Sequence, residues 1–441
     1  MLKNRFLLVA FALFAWLSAT AQTSSINTFS PYSMYGVGEI GSQGSLAQRS
    51  LGGVGVAQRS MSGVNTLNPA AYSITLQKSI LFNFGLEGQN YYNSQLKGDG
   101  SHAMTSYNTF NIRDIALQIP LTKGLGLGFN LNPYSSVGYR IFKRSEPIAD
   151  VGVVDYDYTG EGDVTLVKAG LGWEIFKNFS LGVAAQYYWG DIDRKYVATI
   201  YPYTGTGSYP GLEGNTKYSI SNVKAQVGVQ YTPILDRKRV LTIGATYDMG
   251  GDLNPTITNN MATNGILTST IKADTMNLAI KLPHKLTVGV FYETNKFAVG
   301  FDYVYQNWGS NNSFVENTAG AFDVRYCNTN TVKFGVEWTP NRNDVRNFLR
   351  RWHYRAGFNY GNYHQEFGGE RVREYAVTFG FGIPVKFGGF SSIDVGVEYG
   401  CRGEHAMIKE SVGMIKQQYF KFAVSFALFG EDYWFVRPKF D

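Results

Sequence analysis

Long apolar runs are missing from this chain beyond its first residues. Phe6 to Leu17 is apolar but too short to span a bilayer, and no later stretch approaches twenty apolar residues, which excludes a helical membrane protein. Cysteine is nearly missing. Cys327 and Cys401 stand alone, each near the end of a candidate strand, and those strands are not expected neighbours, so no disulfide framework is built here. Charge is scarce at 17% of residues, and the net +6 is dispersed, which argues against a nucleic-acid partner. Chemistry is missing too. The five histidines, at 102, 284, 353, 364 and 405, have no metal-ligand spacing, and there is no G-x-S-x-G elbow. Gly53-Val-Gly-Val-Ala57 imitates a dinucleotide loop without the strand and helix that such a loop needs. No enzyme, cofactor or metal is expected.

What is present starts with an address. Lys3 and Arg5, the apolar run and Ala19-Thr20-Ala21 read as a signal peptide over 1–21, whose loss takes the formal charge from +6 to +4. Residues 22–77 are rich in Gly, Ser and Asn and show no periodicity, and Gly36, Gly38, Gly41 and Gly44 defeat a helix. From 78 to 429 the chain alternates. Phe297, Val299, Phe301, Tyr303 and Tyr305 share one face, against Ala298, Gly300, Asp302 and Val304. The pattern repeats from Ile393 and from Phe420.

A soluble sandwich alternates as well. Here the second face carries Gly, Ala, Ser, Thr and isolated charges, which suits a confined interior, and rings such as Trp173, Trp189, Trp338 and Tyr399 end the apolar rows. The expected fold is all-β: a transmembrane antiparallel β-barrel of about fourteen strands, with 22–77 as a hatch in its lumen and 430–441 as a periplasmic tail. Leu282-Pro283 is kept inside one strand, 271–293, as a local bulge. Short connectors alternate with long ones at 93–108, 141–163, 196–216, 252–270, 309–323 and 403–416, which places the long loops outside the cell and the short turns in the periplasm. The connector 340–351 is long and basic on the short-turn side.

Three stretches resemble the outer-membrane long-chain fatty-acid transporter family (FadL-type, with the related aromatic-hydrocarbon channels). Asn68-Pro69-Ala70 follows a small-residue run. Leu282-Pro283 precedes Val288-Gly289-Val290-Phe291-Tyr292, Asp302-Tyr303 and Trp308. Tyr354-Arg355-Ala356-Gly357-Phe358 and Val377 to Gly382 match two late strands. The resemblance covers most of the mature chain, and the extension Gly430 to Lys439 departs from it. It implies a hatched barrel, inward passage of hydrophobic molecules and a kinked third strand that opens sideways.

Candidate residues follow. The hatch is marked by Asn68, Pro69, Ala70, Arg49 and Arg59. The lateral opening is marked by Gly126, Gly128, Asn132 and Pro133, although Pro133 also reads as a plain strand end. Solute would come in past Tyr201, Tyr203, Tyr209 and Met261. Lumen charges, chiefly Asp302, Glu337, Arg355 and Glu398, read as structural pairs, with Arg49 and Arg59 as partners for Asp302, Glu337 and Glu398. Two functions are expected in competition. One is passive uptake of hydrophobic molecules across a Gram-negative outer membrane with lateral release into its lipid bilayer. The other is a non-transporting accessory subunit of a secretion or assembly complex, touching partners through 340–351 and 430–441.

Overall fold

The computed structural model describes residues 28–60, 63–74, 79–145, 152–202, 211–236, 238–264, 269–277, 280–311, 324–385, 391–409 and 412–431. The alternating segments form fourteen antiparallel strands: β1 Ser79–Lys97, β2 His102–Thr122, β3 Leu125–Arg144, β4 Val153–Phe176, β5 Phe179–Tyr201, β6 Gly211–Leu235 and β7 Arg239–Asp248, which continues as Thr256–Asn264. Next come β8 (Ser269–Asn277, then Lys285–Thr294), β9 Phe297–Gln306, β10 Thr329–Trp338, β11 His353–Phe367, β12 Glu370–Pro384, β13 Ser392–Arg402 and β14 Val412–Glu431. Each pairs with its neighbours in sequence, and β14 pairs with β1 from Ser79↔Glu431 to Lys97↔Val412, so the sheet closes without an edge at that junction.

Register explains why the wall holds in lipid. Val290, Phe301, Phe334, Phe358, Val377, Tyr399 and Phe420 stand side by side across consecutive strands as one outward row. All are exposed. A continuous apolar belt of this size on a soluble monomer is a liability, whereas against acyl chains it is the stable face. Among the described residues no helix is long and apolar enough to cross a membrane.

Two expectations change. The long connectors at 93–108, 141–163 and 196–216 are mostly strand, with β4, β5 and β6 running 24, 23 and 25 residues. A barrel strand needs only about 9–11 residues to cross a bilayer, so these hairpins stand well clear of the apolar belt. They read as loops because their outer reaches lose the apolar row that marks the membrane band. The connector 252–270 is likewise the hairpin of Thr256–Asn264 with Ser269–Asn277, and 403–416 carries a short strand, Met407–Lys409, on β14. Much of 309–323 lies outside the described residues, as does almost all of 430–441. At Pro283 the strand breaks between Lys281–Leu282 and Lys285–Thr294, and Leu282 pairs with Gly251.

Residues 28–60 and 63–74 lie inside the barrel. They include a one-turn helix, α1 Leu46–Arg49, closed by a capping box between Ser45 and Gln48, and a 3-10 turn over Pro69–Ile74.

Candidate functional site

The hatch binds the wall because the wall gives up its side chains along the contact. From Leu46 to Tyr72 the chain winds around the inside of the barrel in the order opposite to the strands. Ser50 lies on Gly396 of β13 and Gly380 of β12, Leu51 and Gly52 on Gly357 and Gly335, Val54 on Gly300, and Val56 on Gly289 and Gly244. Asn68 then meets Gly228 of β6, Ala70 meets Gly182 of β5, and Tyr72 meets Gly126 and Gly128 of β3. A Cβ at any of these glycines would strike hatch atoms, and at Gly182 it would strike backbone, so the belt exists for close approach.

Asn68 ties three strands of chain together. Its Nδ2 donates to Val56 O at 2.8 Å and Val229 O at 3.2 Å, and its Oδ1 accepts from Ala70 N at 3.0 Å. Asn65 does comparable work, donating to Gly55 O and Gln58 O at 2.8 Å each and accepting from Leu67 N at 2.9 Å. Asp302 accepts from Gly55 N at 2.8 Å and Val56 N at 3.0 Å.

Buried charges complete the hold. Arg49 pairs with Glu87 of β1 and, at 2.9 Å, with Asp114 of β2, and Arg113 lies 2.9 Å from Glu87. Arg113 and Asp114 both face inward because β2 carries an extra residue there, with Asp114 at φ 61°. The expected partners of Arg49 are therefore replaced. Glu337 instead binds Arg355 and His353 at 2.8 Å each, Arg355 also reaches Asp394 at 2.5 Å, and Glu398 binds Lys421 at 2.9 Å. Among the described residues Arg59 forms no ion pair with a carboxylate: it donates to Thr232 Oγ1 at 2.9 Å and Ser180 Oγ at 3.2 Å. Burial pulls its guanidinium below the ordinary value, and Glu174 opposes that shift.

Residues 28–41 occupy the other half of the lumen, nearer the long hairpins, and bind by a different chemistry. Tyr32, Met34, Tyr35 and Val37 pack into an apolar core with Val137, Tyr139, Val164, Tyr188, Ile192, Tyr218 and Phe367 of the wall. Glu39 accepts from Arg402 of β13 at 3.0 Å, and Arg402 reaches Glu374 at 2.8 Å and lies over the Tyr363 ring at 4.3 Å.

This segment also covers a seam. The β2–β3 ladder stops at Ile115↔Leu131, one step short of Asn132 and Pro133. Beyond it β3 runs on to Arg144, so Pro133 does not end the strand; it sits beside a register shift against β4. Glu39↔Ser136 and Ile40↔Ser135 pair there instead, Gly41 N donates to Tyr134 O at 2.9 Å, and Ser30 N donates to Gly138 O at 2.8 Å. Asn132 Oδ1 accepts from Asp114 N at 2.7 Å. Gly126 and Gly128 lie below the seam and hold Tyr72 rather than leaving a gap. Of the residues expected to line the way in, Tyr201 ends β5 fully on the surface and Met261 is half-buried in its hairpin, while Tyr203 and Tyr209 lie outside the described residues.

Between the two hatch portions remains a cavity of about 250 Å³, lined by Glu39, Arg49, Arg113, Asp302, Lys333, Glu374, Glu398, Arg402 and Lys421 among others. Both charge signs are present and largely matched. The wall's contributions at Glu87, Arg113, Asp114, Glu374 and Arg402 escaped the sequence reading. The adjacent charges Arg113-Asp114 inside an otherwise alternating strand were the one legible sign. Cys327 and Cys401 are free and buried. Among the described residues no group of His, Cys, Asp and Glu is placed to hold a metal ion.

Comparison with solved structures gives the same architecture. A Pseudomonas aeruginosa FadL homologue superposes with TM-score 0.60 at 12% identity, covering 89% of this chain and 99% of the other. The P. putida toluene transporter TodX gives 0.58 at 15%, covering 91% and 99%, and the Ralstonia pickettii toluene transporter TbuX gives 0.55 at 14%, covering 88% and 98%. At such identities the likeness is one of fold. No curated protein matches. The model of the family described as BamG matches residues 1–441.

Proposed function

The chain belongs to the BamG family, and from that premise we propose that it is a sealed outer-membrane barrel, a non-transporting accessory subunit of a membrane-embedded secretion or assembly complex. The observation that carries this reading is the filled interior. The half of the lumen that offers apolar side chains is already packed by Tyr32, Met34, Tyr35 and Val37. The space left over mixes apolar surface with ionised groups such as Arg49, Asp302, Lys333 and Arg402, and a hydrocarbon entering it would strip water from those groups. Passage to the short-turn end would also require Arg49 to leave its buried partners Glu87 and Asp114, which is costly. The outward apolar belt and the alternation of tight turns with long hairpins support a Gram-negative outer membrane, with the hairpins outside.

The seam supports a second reading. A barrel with the architecture of channels for hydrophobic compounds has a third strand that loses its partner at Leu131, and the segment covering it is the barrel's own N-terminal chain. In this reading passive uptake proceeds past Tyr201 and Met261. Residues 28–41 then leave the edge of β3, and a fatty acid or similar solute exits sideways near Asn132 and Pro133. Native mass spectrometry of the protein extracted in mild detergent separates the two. A stoichiometric complex with other membrane proteins is the expected result. A lone barrel carrying lipid, with faster fatty-acid uptake into reconstituted vesicles, would overturn the accessory role in favour of uptake.

A further inference from the structure

One cleft of the protein faces outward, at the foot of the wall rather than in the lumen. It lies where β9, β10 and β11 meet the basic connector at the short-turn end, is a wide, open cleft of about 720 Å³, and is bounded by Lys296, Arg350, Asn341, Leu349, Trp338 and Tyr354. Its two sides differ in chemistry. Trp338 stacks on Phe297 at 6.4 Å and touches Tyr354 at 5.6 Å, which meets Phe381 at 5.7 Å, so this side continues the apolar belt into an aromatic band. The other side is cationic.

The cationic side is built rather than loose. Asn341 N donates to Arg350 O at 2.8 Å, Thr339 N to Lys296 O at 2.7 Å, and Tyr354 OH to Leu349 O at 3.0 Å. Asp344 Oδ1 accepts from Arg346 N at 2.9 Å and Asn347 N at 2.8 Å, and these bonds hold its carboxyl below the usual range. Between 293 and 351 the short-turn end carries Lys296, Arg342, Arg346, Arg350 and Arg351, and two of its carboxylates are Glu293 and Asp344. Glu293 is taken by Arg342 at 2.9 Å, and Asp344 stands 3.5 Å from Arg350. The Lys296 side chain has no hydrogen-bond or ion-pair partner among the described residues. Val345 is 96% exposed, with Phe348 and Leu349 also exposed beside it, an apolar tip that water does not favour.

We infer that this cleft binds the head group of an anionic phospholipid from the leaflet at the short-turn end. The phosphate lies between Lys296 and Arg350, and the upper acyl chains lie along Trp338 and Tyr354. Cations at an aqueous rim above aromatic rings at membrane level are complementary to such a lipid at both ends. Other short turns carry Lys123, Lys177 and the run Arg237-Lys238-Arg239, which gives that end the same sign of charge. The inference rests on the reading of the barrel as membrane-spanning.

The test uses the full-length protein, mixed in detergent with equal amounts of phosphatidylglycerol and phosphatidylcholine and observed by native mass spectrometry. Wild type retains phosphatidylglycerol with a preference of about thirtyfold, the scale expected when two surface cations each add about fivefold for one anionic lipid. Lys296→Gln with Arg350→Gln abolishes the preference, whereas Lys123→Gln at another turn leaves it intact. Equal retention of both lipids by wild type, or a preference untouched in the double variant, overturns the inference. So does a bound protein that the double variant releases while lipid retention stays unchanged. Gel mobility before and after heating confirms that each variant is a folded barrel. Insertion into pure phosphatidylcholine vesicles keeps the two readings apart: failure there removes the membrane barrel itself, and success without a lipid preference removes only the cleft.

Discussion

The two portions of the hatch are held by opposite means. Residues 46–72 bring a cation, Arg49, to carboxylates of the wall, and lay backbone against glycine. Residues 28–41 bring a carboxylate, Glu39, to a cation of the wall, and lay rings and aliphatic side chains against an apolar surface. The first portion needs the wall to be small; the second needs it to be large and greasy. A plug bound in both ways has no single weak contact through which it leaves as a unit, and each portion can be loosened without the other.

That independence is open to attack. The largest effect is expected from Arg49→Met, which leaves Asp114 with Arg113, and Glu87 with Arg113 and the more distant Lys421, as remaining cations. Breaking a buried pair of this kind costs about 3–5 kcal/mol, so thermal unfolding in detergent should fall, trypsin should cut at Arg59, and cells should admit large antibiotics. Unchanged permeability and protease resistance together would show that the ring is held by glycine contacts alone. Met34→Ala, in the other portion, should cost about 2–5 kcal/mol as a core truncation. Its signature is local: hydrogen exchange should rise at the Tyr134 to Gly138 amides of β3 while 46–72 stays protected. Exchange spreading into the ring would break the two-part description. Gly182→Val should cost about 1–3 kcal/mol by overpacking against Ala70, while Gly88→Val, where no atom crowds the added carbon, should stay within about 0.5 kcal/mol in the same unfolding assay. Among the hatch variants the smallest effect belongs to Arg59→Gln. Two part-buried hydrogen bonds to hydroxyls are lost, about 1.5 kcal/mol each, and leakage comparable to that of Arg49→Met would place the main staple at Arg59 instead.

The wall was readable from the chain because a strand repeats every two residues, and fourteen alternating rows in order leave little freedom in pairing. The break at Pro283 was not readable: alternation resumes directly after it, so the residue passes for a bulge in a continuous strand, while Leu282 pairs with Gly251. The hatch was recognisable only by its lack of a period, and its route was hidden. Which wall residue meets Arg49 depends on circumferential position, and on the one-residue bulge at Asp114 that turns two successive charges inward. No spacing along the sequence encodes that. The seam at Leu131 was half visible through Pro133, since proline forbids a ladder bond. That the N-terminal chain would supply the missing pairing at Ser135 and Ser136 was not, because a two-residue strand carries no pattern.

The reversed winding has a consequence in time. The plug is made before any strand, yet its first turn, at Ser50, rests on β13 and β12, among the last parts of the wall to be synthesised, and Arg49 reaches across to β1 and β2 on the far side of the β14–β1 junction. Until that junction forms, the plug has nowhere complete to sit and its charges have no full set of partners. Docking and closure are therefore one event, and a growing sheet must keep its own earliest segment captive while it curls. The latch lies across the joint that is made last, so a barrel that has failed to close shows it by an arginine left without its carboxylates.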